Sequence, residues 1–91
     1  MLRITVQNKN RDIRILLLEG KVSKQWLKEL QIEIEKSIND GKKLALDFSK
    51  VTYIDEDGAQ LINQLHYKNI EKRNCSLFIR TLLGHEPRGE K

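Results

Sequence analysis

The stretch from residue 44 to residue 65 constrains the fold most, because its character changes twice. Residues 44–48 are apolar except for one aspartate, a pattern typical of a central strand. Val51 and Ile54 are apolar residues in an otherwise polar connection, which predicts a loop that enters the core twice. The sequence Asp-Glu-Asp-Gly at residues 55–58 then precedes apolar residues that recur on one helical face. Carboxylates at these positions suit a helix start, where they interact favourably with the helix dipole and can cap free N–H groups.

Length and composition predict a small soluble domain. The chain has 91 residues, enough for one domain near the small end of the range that buries a sufficient core. No apolar run approaches the roughly 18 residues of a membrane span, and no signal peptide is evident. We therefore expect a cytoplasmic protein without membrane insertion. A single cysteine, Cys75, excludes an intrachain disulfide and a cysteine-cluster zinc site.

The net charge of +4 does not predict nucleic-acid binding. The basic residues are spread along the chain, and no basic run exceeds two residues. No aromatic stacking platform accompanies them. We therefore expect no nucleic-acid partner.

The first residues predict a hairpin. Apolar and polar residues alternate over residues 2–7, the period of a half-buried strand. Residues 8–12 have turn chemistry, and a more apolar second strand follows over residues 13–18 and ends at Gly20. The short connection favours antiparallel pairing.

A first helix is predicted from Ser23, a plausible N-cap, to about Asn39, with Asp40 and Gly41 as its stop. Its apolar stripe comprises Leu27, Leu30, Ile34 and Ile38. Its solvated outer face comprises Lys24, Lys28, Glu29, Glu33 and Lys36. Trp26 lies off the stripe, and either covers the core edge or anchors a partner.

A third strand is predicted over residues 42–48. Because a helix joins it to the second strand, the two should pair in parallel through a right-handed crossover. The next helix should run from about Glu56 to Tyr67, and residues 75–79 are apolar enough for another strand. We expect one core that contains Leu46, Ile54, Ile62 and Leu65.

The sequence does not predict catalysis or metal binding. His66 and His85 have no serine or cysteine that the sequence can place beside them. A calcium loop ending at Gly58 would need a ligand at residue 53 and a glutamate at residue 64, and these are Tyr53 and Gln64. We expect no metal and no cofactor, which leaves a binding module.

The segment LDFSKVTYIDEDGAQLI at residues 46–62 resembles the central motif of STAS domains (sulfate transporter and anti-sigma factor antagonist). Members typically have Asp-Leu-Ser after a hydrophobic strand, and then Asp-Ser-Ser-Gly-Leu-Gly. Residues 47–49 match the first element, and Asp55 and Gly58 bracket the second. The resemblance covers about residues 2–84.

The resemblance implies a small α/β STAS-like domain over residues 1–84: a four-stranded mixed sheet with about three helices packed mainly on one face. It implies that residues 70–74 form a charged edge strand and that Ser76 caps a last helix ending at Gly84. The inner face of that helix would comprise Phe78, Ile79, Leu82 and Leu83. Cys75 would be a buried structural thiol, and residues 85–91 would form a flexible tail.

The implied function is a non-enzymatic protein–protein interaction module of the anti-sigma factor antagonist type, in bacterial transcription regulation and signalling. In such antagonists the residue before the motif glycine is the phosphorylated Ser or Thr, and here it is Asp57. The chain would therefore lack the switch at that position, with a fixed charge where phosphorylation adds about −1.5 to −2. The alternative is a cytosolic accessory subunit of a membrane (ABC-type) transporter. A weak nucleotide binder is a third possibility, which no Gly-rich loop supports.

The implied partner is a protein, either an anti-sigma factor or kinase, or a transporter subunit; we expect a monomer or weak dimer. The implied partner-binding residues are Ser49, Asp55, Glu56, Asp57, Gly58, Ala59, Gln60 and Asn63. Within this set, an exposed patch at the start of the motif helix is predicted for Glu56, Asp57, Ala59, Gln60 and Asn63.

Overall fold

A computed structural model describes residues 1–8, 12–65 and 70–83. Strands β1 and β2 are Leu2–Asn8 and Ile13–Val22. A 3₁₀ turn, Lys24–Trp26, leads into helix α1, Leu27–Asn39. Strand β3 is Lys43–Ile54, helix α2 is Glu56–Gln64, strand β4 is Glu71–Arg73 and helix α3 is Leu77–Leu83. Most of the predicted turn, the predicted end of α2, both histidines, Gly84 and the predicted tail lie outside the described residues.

The predicted mixed sheet is confirmed. Its strand order is β1-β2-β3-β4. β1 pairs antiparallel with β2, as expected of strands joined by a short connection. β2 pairs in parallel with β3, and β3 with β4, since a helix separates each of these pairs along the chain.

The prediction that Gly20 ends the second strand is wrong, because β2 continues to Val22. Gly20 instead sits at an irregularity in the pairing with β3, with φ of +99°. A Cβ atom at this position would collide with the backbone oxygen of Met1. Glycine is therefore needed both for the positive φ and for the close approach of the chain start.

The predicted loop after residue 48 is also wrong, because β3 continues through it to Ile54. Val51 pairs with Gly20 and Ile54 pairs with Val22, so the extended β2 supplies a hydrogen-bonding partner for this segment. Val51 and Ile54 are buried as predicted, but they enter the core from a strand.

One face of the sheet and the three helices enclose a single core. The four predicted core residues are confirmed as buried. The cluster comprises Leu2, Leu16, Leu18, Val22, Leu30, Ile34, Leu44, Leu46, Phe48, Val51, Ile54, Ala59, Ile62, Leu65, Ile70, Ile79 and Leu83. Strand and helix residues belong to one cluster, which confirms the predicted layering of helices on the sheet.

The apolar stripe of α1 is displaced from the prediction at its C-terminal end. Leu30 and Ile34 are buried, whereas Ile38 is 38% exposed and Ser37 is fully buried in its place. Ser37 can be buried because its hydroxyl donates to the Glu33 carbonyl at 3.0 Å and accepts from Arg14 at 3.3 Å.

The C-terminal elements follow the resemblance rather than the local apolar content. Residues 77–83 form a helix, and Ser76 caps it by accepting the Ile79 N–H at 3.1 Å. Ile79 and Leu83 are buried, but Phe78 is 54% exposed because it lies off the stripe that they define. Cys75 is half-buried rather than fully buried, and this burial raises the pKa of its thiol.

Candidate functional site

Asp55 joins the starts of two helical segments. One carboxylate oxygen accepts the Gly58 N–H at 2.7 Å, which caps α2, and the other accepts the Lys24 N–H at 3.0 Å. Ser23, the predicted cap of the first helix, makes no side-chain cap hydrogen bond. Ser23 does occupy the N-cap position of the 3₁₀ turn, as predicted, but its hydroxyl accepts no capping bond, and Asp55 binds the Lys24 N–H. Asp55 therefore fixes the start of α2 beside the start of the 3₁₀ turn.

Gly58 holds α2 close to the end of β2. It is buried, and a Cβ atom there would lie 2.5 Å from the Val22 carbonyl oxygen. That oxygen also accepts the Asp55 N–H at 3.0 Å. The predicted partner-binding residues Asp55 and Gly58 thus position the start of α2, and Gly58 does so while buried.

The predicted exposed patch is smaller than the sequence indicates. Glu56, Asp57 and Gln60 are exposed at the start of α2. Ala59 is only 9% exposed and packs into the core, because the stripe of α2 begins there. Asn63 is half-buried, since its side-chain amide donates to the Leu83 carbonyl at 2.6 Å. The exposure predicted for Ala59 and Asn63 is therefore wrong.

A shallow groove of about 280 Å³ adjoins Asp57 and Gln60. It runs between the N-terminal part of the first helical segment and α2, and we call it the motif groove. Its lining residues are Lys24, Leu27, Gln31, Asp57, Gln60, Leu61 and Gln64. The sequence analysis missed Lys24, Gln31 and Gln64 as site residues. Lys24 and Gln31 carry no motif, and only the position of the first helical segment beside α2 brings them to Asp57. Gln64 lies two turns after Asp57 on the same face of α2, so helical periodicity could have indicated it.

Ser49 belongs to a polar cluster between β3 and β4. The Asp47 carboxylate accepts the Ser49 backbone N–H at 2.8 Å and the Asn74 side-chain amide at 3.1 Å. Partial burial alone would raise the pKa of Asp47, but these hydrogen bonds and the charge of Arg73 lower it below 3.8. Asn74 adopts a positive φ of 58°, a conformation that asparagine tolerates. The cluster fixes the connection that follows β4.

Within residues 1–8, 12–65 and 70–83, no group of three or more His, Cys, Asp or Glu side chains is arranged to hold a metal ion. The helices of the same residues include none long and apolar enough to cross a membrane.

The site is therefore a capped, acidic helix start beside a shallow groove on an α/β domain. The family model for the STAS domain matches residues 4–84, so the chain belongs to the STAS domain family. Among solved structures, the chain is similar to the anti-sigma factor antagonist SpoIIAA in its unphosphorylated form, with a TM-score of 0.72 and 13% identity. That match covers 98% of this chain and 87% of the other. A comparison with curated proteins found no match.

Proposed function

We propose that this chain is a non-enzymatic interaction module of the anti-sigma factor antagonist type, which binds a protein partner through Asp57, Gln60 and the motif groove. The observation that carries the proposal is the exposure of Asp57 beside this groove, at the position that matches the phosphorylated residue in the family motif. The groove combines apolar contact from Leu27 and Leu61 with polar side chains at its edges. This combination is typical of the interface of a regulated, reversible complex.

Asp57 carries a permanent charge at the position where the family motif has a residue that phosphorylation can switch. A phosphorylated serine carries about −1.5 to −2 charges, whereas an aspartate carries at most −1. Asp57 is not the helix cap, because Asp55 fills that role. The carboxylate of Asp57 is therefore free of a capping role and can attract or repel a partner. We infer that it acts as a permanent, weaker version of the phosphorylated state.

The surface is tested by capturing a partner from lysate of the source cells and measuring its affinity for variants. Gln60→Lys should bind the captured partner at least about tenfold more weakly, while its melting temperature stays unchanged because Gln60 is exposed. Asn39→Lys adds the same charge at an exposed residue at the end of α1, outside the motif groove, and should bind like wild type. Equal affinities for wild type and Gln60→Lys would contradict the proposed surface. A captured anti-sigma kinase would support the antagonist role, and a captured transporter subunit would oppose it.

The fixed charge is tested by Asp57→Ser. If Asp57 imitates a phosphate, this variant should bind an anti-sigma kinase at least about tenfold more tightly than wild type, some 1.4 kcal/mol. Wild type incubated with the kinase and ATP should remain unmodified at residue 57, because a carboxylate has no hydroxyl to phosphorylate. If wild type and Asp57→Ser bind equally, Asp57 does not imitate a phosphate, and the chain is instead a constitutive adaptor.

A further inference from the structure

The two edges of the sheet differ in how well they are protected against pairing with another strand. β4 is a three-residue strand in which every residue is charged, a device that discourages edge-to-edge pairing. β1 has seven residues, contains no proline, and carries Arg3 as its single charge. Its register with β2 is unbroken from Leu2 to Asn8, so no bulge twists the edge away. In the sheet formed by the described residues, β1 pairs with β2 alone, which leaves its outer backbone edge open.

A groove lined by apolar side chains and two glutamates lies beside this open edge, between β1 and α1, and we call it the β1–α1 groove. Its lining residues are Leu2, Ile4, Trp26, Glu29, Ile32 and Glu33. Ile32 is 46% exposed, and Val6, two residues beyond Ile4 on the same strand face, is 45% exposed. The volume of about 210 Å³ is below the roughly 300 Å³ of small-molecule pockets, so the groove suits one or two side chains of a polypeptide.

Trp26 forms part of the groove wall and is its best candidate anchor. Its indole Nε1 is buried and has no hydrogen-bond partner among the described residues. Tryptophan is enriched among the residues that dominate binding energy at interfaces. A strand paired with β1 would bring further polar backbone groups to this side of the molecule.

The charges on the groove favour a basic occupant. Glu29 and Glu33 line it from α1, and the 3.8 Å ion pair of Glu33 with Lys36 is exposed enough to be exchanged for another partner. A second copy of this chain would bring the same two glutamates toward the groove, where like charges repel. A segment with lysine or arginine would instead be attracted.

We propose that β1 and the β1–α1 groove bind an extended basic segment of a partner protein. The segment adds to the sheet as a strand beside β1, places apolar side chains in the groove, and directs Lys or Arg side chains toward Glu29 and Glu33. This surface is independent of the motif groove, because the two are lined by different residues.

The protein carries a built-in reporter, since Trp26 is its single tryptophan. The probe, called here the valine–lysine peptide, is a capped repeat of Val-Thr-Lys-Thr, in which valine and lysine share one strand face and threonine lies on the other. It is titrated at physiological ionic strength while Trp26 fluorescence is recorded. We expect a saturable change in the emission. A valine–glutamate peptide, with glutamate in place of lysine, should bind at least about tenfold more weakly, and so should a valine–lysine peptide N-methylated at every backbone amide, which blocks pairing along both strand edges.

Two variants separate groove binding from general charge attraction. Glu29→Lys should weaken binding of the valine–lysine peptide at least about tenfold. Glu35→Lys makes the same charge change at an exposed α1 residue that does not line the groove, and should weaken binding less than about threefold because it makes no contact there and salt screens exposed charges. Equal losses for both variants, or unchanged binding of the N-methylated peptide, would overturn the proposal. A dimer in sedimentation that excludes the peptide would also overturn it, because a second copy would then occupy the edge.

Discussion

Replacing Gly58 by alanine should destabilise the protein, although alanine is the better helix former. Inside an ordinary helix this change gains up to about 1 kcal/mol. At Gly58 the new Cβ would lie 2.5 Å from the Val22 carbonyl oxygen, 3.0 Å from a Val22 methyl group and 3.1 Å from the Asp55 carboxylate. The nearest of these atoms belongs to the backbone of β2, so it cannot rotate away.

The size of the loss in unfolding free energy follows from how far α2 must move away from β2. Overpacking of this kind costs about 1–3 kcal/mol. Relief requires the start of α2 to withdraw from β2, which lengthens the 3.0 Å hydrogen bond from the Asp55 N–H to the Val22 carbonyl. Such a bond contributes about 0.5–1.5 kcal/mol. After the helix-propensity gain is subtracted, we expect a net loss of about 1–3 kcal/mol in the free energy of unfolding.

The assay is equilibrium urea unfolding, with the loss read from the midpoint at an unchanged m-value. Gln64→Ala is the matched control, because it also places alanine in α2 but at an exposed position, and should change stability by less than about 0.5 kcal/mol. A midpoint for Gly58→Ala at or above that of wild type would refute the close contact between α2 and β2.

Three further predictions concern stability. Asp55→Ala should cost about 1–2 kcal/mol in urea unfolding, because it removes the cap of α2, and Asp55→Asn, which keeps one acceptor oxygen, should cost less; equal losses would contradict a stabilising role for the oxygen that Asn retains. The lowered pKa of Asp47 means that its contribution to stability is present above pH 3.8 and is lost as the pH falls through its folded-state pKa. Asp47→Asn should therefore flatten the acid side of the stability–pH curve, and an unchanged curve would argue against the cluster. Leu46→Ala should cost about 2–5 kcal/mol in thermal or urea unfolding, whereas Ile32→Ala, at a 46% exposed position, should cost much less.

The sequence predicts elements well where pattern and chain connectivity agree. Alternation in residues 2–7 and the apolar run after residue 43 correctly predict strands, and the intervening helix correctly predicts parallel pairing. These signals are local, so they can be read without knowledge of the tertiary structure.

The wrong predictions share a different physical origin, since each depends on a contact between distant segments. β3 continues to Ile54 because β2 passes its irregularity at Gly20 and keeps pairing. Phe78 is exposed because the packing of α3, rather than apolar content, decides which face is buried. No window along the sequence contains both partners of such contacts.

The motif locates only part of the candidate site, because contacts between distant segments form the rest. Asp55 and Gly58 are visible in the motif, but their contacts are with Lys24 and Val22, and these contacts hold α2 against the rest of the fold. The motif groove exists because those contacts fix α2 beside α1. The β1–α1 groove uses other side chains of α1 and depends on no motif residue. We therefore infer that Asp55 and Gly58 of the motif fix the position of α2 on the sheet, and that the proposed binding surfaces also use exposed residues of α1 and α2 outside the motif.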